Sequence, residues 1–85
     1  MTENSTRLST LKTGVSARVE KMRGGHSFLS RLATLGFTPG ARLRVVQNYG
    51  HGPIIVNLRD TRVALGRGEA AKILVRPLSE GDHGR

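Results

Sequence analysis

Apolar residues recur at alternate positions through most of this chain and at helical spacing in one segment. Val15, Ala17 and Val19 alternate with Ser16, Arg18 and Glu20, the period-two pattern of a half-buried strand. The phase then breaks. Met22, not Lys21, continues the inward set, which predicts a bulge near Glu20–Lys21. Ala41, Leu43 and Val45 alternate with Arg42 and Arg44 in a second strand. Ile54, Val56 and Leu58 alternate with Ile55, Asn57 and Arg59 in a third. Asp60-Thr61 is the expected hairpin tip, with Val63 and Leu65 continuing inward on the return strand. Gly66 to Ala71 reads as a single turn of 3-10 or helical structure, and Ile73 and Val75 as a last short strand. Leu8 and Leu11 are the first apolar anchors.

The helical segment carries Phe28, Leu32 and Leu35 at i, i+4 and i+7, with Leu29 widening the stripe and Arg31 outside it. Ser27 is placed as its N-cap, so the helix is expected over about 27–35. Gly36 suits the left-handed residue that ends a helix, with Phe37 packing back on Leu32. Pro39-Gly40 suits the centre of a type II turn. About five strands and one short inserted helix predict a small antiparallel β-barrel, mainly β, whose closure hides its edges. The expected domain covers 8–76, with flexible tails at 1–7 and 77–85.

Composition narrows the function. The chain has 85 residues, a formal net charge of +8 and no cysteine. It therefore makes one domain at most, without disulfides or thiolate sites. A domain this small has little core to spare for a large enclosed pocket. The N-terminal residues lack the apolar run of a signal peptide, and the longest apolar run, Ile54 to Val56, cannot span a bilayer. The expected location is the cytoplasm. Asp60 and Glu69 are isolated acids with arginines close by, a setting that favours their ionised form over a general acid. With no paired carboxylates and no Ser/His/Asp arrangement in a supporting context, an enzyme is not expected. His26, His51 and His83 lie far apart without acids at ligand spacing, so neither a metal nor a cofactor is expected. Gly66-Arg67-Gly68-Glu69-Ala70-Ala71 matches a dinucleotide fingerprint, but too little chain follows for the required helix and acid.

The order Leu8-x-x-Leu11-x-x-Gly14, Arg31-Leu32-x-x-Leu35-Gly36-Phe37-x-Pro39-Gly40, Val63-Ala64-Leu65, Glu69-Ala70 and Ile73-x-Val75 resembles the FeoA family. The middle block is the specific part, and the resemblance runs from Leu8 to Val75. It implies an SH3-like barrel with an inserted helix. It also implies a cytosolic accessory role in bacterial ferrous iron uptake, acting on FeoB, a GTP-binding membrane transporter. Two segments are candidate docking elements. One is the helix stop, with Arg31, Leu35, Gly36 and Phe37, where Phe37 and Thr38 are expected at the tip of a rigid knob. The other is the flexible Tyr49–Pro53 connector, with Tyr49 and His51. The basic charge would also suit an anionic membrane surface. The alternative is a basic SH3-like module that binds nucleic acid, or another partner in transcription regulation; the scarcity of stacking aromatics speaks against nucleic acid.

Overall fold

The computed structural model describes residues 5–78. Its elements are β1 (Thr6–Arg7), a 3-10 turn (Leu8–Thr10), β2 (Ser16–Met22), α1 (His26–Leu35), β3 (Arg42–Gln47), β4 (Ile54–Leu58), β5 (Thr61–Leu65), α2 (Arg67–Ala70) and β6 (Ile73–Pro77). The six strands form one antiparallel sheet in the order β1-β6-β2-β3-β4-β5. The sheet is compact but not closed, and β1 and β5 are its edges.

The alternating residues face as the sequence predicts. Ala17, Val19, Leu43, Val45, Ile54, Val56, Leu58, Val63, Leu65, Ile73 and Val75 all enter the core, joined by Leu8 and Leu11. The β2–β6 register shifts between Val19 and Lys21, at the expected bulge. A second shift, between Val45 and Gln47, has no counterpart in the apolar pattern.

Four boundaries differ from expectation. Thr6 and Arg7, assigned by sequence to the tail, pair with Val75 and Leu74. Pro77, assigned to the other tail, ends β6 opposite Ala17. The helix begins at His26 with Gly25 as its N-cap, and no side chain caps it. Ser27 lies inside the first turn, because the extended backbone at Gly25 already supplies the entry. The β4–β5 hairpin turns at Arg59-Asp60, since Thr61 pairs with Leu58. Arg59 takes φ +60°, a left-handed conformation uncommon for a bulky side chain. Leu78, also assigned to the C-terminal tail, donates its N–H to the Ser16 carbonyl at 2.8 Å, and residues 1–4 and 79–85 of the expected tails lie outside the described residues.

The helix stop forms as predicted. Gly36 is left-handed at φ +105°, and its N–H donates to the Ala33 carbonyl. The Phe37 N–H reaches back to the Leu32 carbonyl at 2.9 Å, completing the paired bonds of a Schellman motif. A turn follows, with the Ala41 N–H on the Thr38 carbonyl at 2.9 Å and Gly40 at φ +91°, as type II requires.

Candidate docking surfaces

Around α1 the structure spends most of the expected contact residues on the fold itself. Phe37 is 0% exposed and is the largest fully buried side chain. It is not the tip of a knob, because the bonds of the helix stop turn it inward onto the core. Leu35 and Phe28 are half-buried against the same core. A Cβ on Gly36 would stand 3.3 Å from Leu58 Cδ2, so the stop is packed directly on the β4 end. Thr38, Pro39 and Gly40 remain exposed.

Arg31 is also engaged. Its Nη2 lies 2.8 Å from Glu69 Oε2, strapping α1 to α2. Glu69 Oε1 accepts the Gly66 N–H at 3.1 Å. That backbone bond first, and the Arg31 guanidinium next, hold the Glu69 carboxyl below the ordinary carboxylate range. Lys72 Nζ adds a second link, 5.3 Å from the centre of the Phe28 ring.

The Tyr49 loop, unlike the helix stop, stays exposed, and it is held in a way sequence did not reveal. Asn48 anchors it. Its backbone N–H donates to Thr13 Oγ1 at 3.0 Å, and its Nδ2 donates to the Leu11 and Ser9 carbonyls at 2.7 and 3.2 Å. Its Oδ1 accepts the Gly50 N–H at 3.0 Å, a local turn that the Asn-x-Gly pattern could have signalled. At the far end Arg67 donates to the Gly52 carbonyl at 3.1 Å and to the Ser9 carbonyl at 3.2 Å. The connector is thus pinned at both ends. Tyr49 projects from it 69% exposed, the one large apolar side chain exposed among the described residues. His51 is exposed two residues on.

Strand pairing gathers the arginines on the outer face. Arg18 stands directly opposite Arg42 on one side and Arg76 on the other. Like charges so placed repel. Two contacts relieve the row: Arg76 pairs with Glu20 at 2.6 Å, and Arg18 donates to the Gly40 carbonyl at 3.0 Å.

His26 begins α1 and is exposed; His83 lies outside the described residues. Among the described residues no three His, Cys, Asp or Glu side chains gather as a metal site, and no helix is long and apolar enough to cross a membrane.

Comparison with known proteins agrees with this architecture. Residues 6–77 match the family described as FeoA domain. A Methanocaldococcus jannaschii protein provisionally named Fe(2+) transport protein A is 34% identical over 74 residues, 87% of this chain and 89% of that protein. The crystal structure of an iron uptake regulatory protein, FeoA, superposes with a TM-score of 0.82 at 35% identity, covering 87% of this chain and 99% of the other. Stenotrophomonas maltophilia FeoA, crystallised with zinc and described as an SH3 domain protein, gives a TM-score of 0.74 at 35% identity, covering 82% and 88%. The fold is SH3-like.

Proposed function

This chain belongs to the FeoA family, and from that premise we propose that it is a non-enzymatic cytosolic accessory protein of ferrous iron uptake that docks on the cytosolic part of a FeoB-type GTP-binding transporter. The observation that carries the docking reading is the braced loop. A rigid, pre-ordered aromatic loses little entropy on binding, and tyrosine supplies contact area with few rotors. Tyr49 is therefore the anchor, with His51 beside it. Phe37 and Arg31 act indirectly, by holding the helix and its stop in place. Regulation then requires differential contact: the protein shifts the transporter between states only as far as it binds one state better than the other.

The test is an amide NMR titration with the transporter's GTP-binding domain from the same organism at near-physiological salt, with a DNA duplex in parallel. Saturable shifts over Tyr49–Pro53, lost in Tyr49→Ala while the rest of the spectrum is unchanged, support docking. Shifts with DNA alone, weakening steeply from about 50 to 200 mM salt, replace it with the nucleic-acid reading.

A further inference from the structure

One charged cleft adjoins the anchor of the Tyr49 loop through Thr13 but has no role in the docking argument. On the outer face of the sheet Arg44 is the cross-strand partner of Asn57, and Asn57 is the partner of Arg62. This row stands two residues along from the Arg18–Arg42 pair, toward Ser16, which faces Arg44 from β2. With Thr13 and Gly14 at one wall, the three side chains line an open cleft of about 230 Å³.

The cleft's polar chemistry is one-sided. Arg62 Nε donates to Asn57 Oδ1 at 3.3 Å. That bond uses the one side-chain acceptor of Asn57 and leaves its Nδ2 as a donor. It also orients the Arg62 guanidinium and leaves the terminal N–H groups available. Among the described residues Arg44 has no side-chain partner, and no carboxylate lines the cleft. The Thr13 hydroxyl is already engaged with Asn48. Two cations and an amide donor thus converge on a space without a free anionic acceptor. Strand spacing puts the two arginine backbones about 10 Å apart, so both long side chains can reach one central point.

A water's share of liquid is about 30 Å³, so the cleft has room for a tetrahedral oxyanion and part of its hydration shell. Guanidinium groups match such oxygens with paired N–H donors, and two of them balance two negative charges. The neighbouring row differs in this respect: Glu20 already neutralises Arg76, and Arg18 is turned to a backbone carbonyl.

We propose that Arg44, Asn57 and Arg62 form a binding site for a phosphate group carrying two negative charges, whether free in solution or on a phosphomonoester lipid headgroup. The three proposed ligands are not residues of the Tyr49 loop, and the site stands or falls separately from the docking reading.

The experiment is an NMR titration of the full chain with inorganic phosphate, against sodium chloride at matched ionic strength. The expected result is saturable shifts confined to Thr13–Gly14, Arg44–Val46, Asn57 and Arg62, with half-saturation at roughly millimolar phosphate. Arg44→Gln and Arg62→Gln should each weaken binding about tenfold, the cost of losing charge-assisted bonds. Arg18→Gln, in the neighbouring row, should leave it within about twofold. All three residues are exposed, so the variants keep the wild-type amide dispersion. Vesicle flotation identifies the source. Retention on phosphatidic acid vesicles, reversed by free phosphate and by Arg62→Gln, assigns a lipid headgroup; phosphate binding without retention assigns a soluble ligand. Shifts that chloride reproduces, or an Arg18→Gln loss equal to that of Arg62→Gln, reduce the effect to diffuse charge and overturn the proposal.

Discussion

Replacing Phe37 by alanine separates the two roles this residue could have. The side chain is 0% exposed and lies at the junction of the helix stop and the sheet. Deleting a buried phenyl group removes its transfer free energy and leaves a cavity, a combined cost of about 3–5 kcal/mol. A domain of 85 residues has roughly 4–13 kcal/mol in total. The substitution therefore removes a large share of the stability. The melting temperature should fall by at least about 12 °C, at 4–8 °C per kcal/mol for a domain of this size. Urea unfolding followed by far-ultraviolet circular dichroism is the assay, since the chain has no tryptophan. A lower midpoint with an unchanged slope means lost stability without a change in the unfolded state. Phe37→Leu, which refills much of the space, should cost about 1–2 kcal/mol. The reasoning fails if Phe37→Ala loses under about 1 kcal/mol while binding to a partner falls. Phe37 would then belong to a contact surface after all.

Gly36→Ala should cost about 1–3 kcal/mol by the same urea assay, because a Cβ meets both the left-handed backbone at φ +105° and Leu58 at 3.3 Å. Asn48→Ala should cost about 1–2 kcal/mol and speed amide exchange across residues 49–52, since the Leu11 carbonyl and the Gly50 N–H lose their partner and the Ser9 carbonyl keeps only Arg67. Tyr49→Ala should leave the unfolding free energy within about 0.5 kcal/mol of wild type, as a largely exposed side chain does. The Glu69 carboxyl is held low in the folded state, so its contribution is full above the ordinary glutamate range of the unfolded chain and disappears as pH falls through the lowered folded value. Glu69→Gln should flatten that part of the stability–pH curve.

The strands were legible because burial on one face imposes a period of two, which Ala41–Leu43–Val45 and Ile54–Val56–Leu58 keep without exception. The stop at Gly36 was legible because its signals are local: a glycine, an apolar residue after it, then a proline. The same signals gave conflicting readings of Phe37. They predict its packing on Leu32 and equally a place at an exposed tip, and the complete core puts it inside. β1 escaped notice because two residues, one half-buried and one exposed, make no period. The hairpin tip slipped by one because aspartate and threonine are better turn formers than Arg59, whose left-handed backbone is imposed by the pairing of Leu58 with Thr61. The loop braces join Asn48 to Leu11 and Arg67 to Ser9, contacts between distant segments that carry no local pattern. The arginine rows likewise exist only once strand register is known.

The pairing of β1 with β6 sets an order of assembly. Thr6 meets Val75, so β1 can find its partner only when nearly the whole sheet has been made. β2 through β5 form consecutive neighbours in the sheet once the β2–β3 connection folds, whereas β6 must insert between β2 and β1. During synthesis, the outer edge of β2 is therefore open, and filling it is a late, long-range step that pays the closure entropy of a large loop. Its completion sets Thr6 and Arg7 beside Val75 and Leu74, so the first and last strands of the sheet's sequence order are locked to each other by the step that comes last.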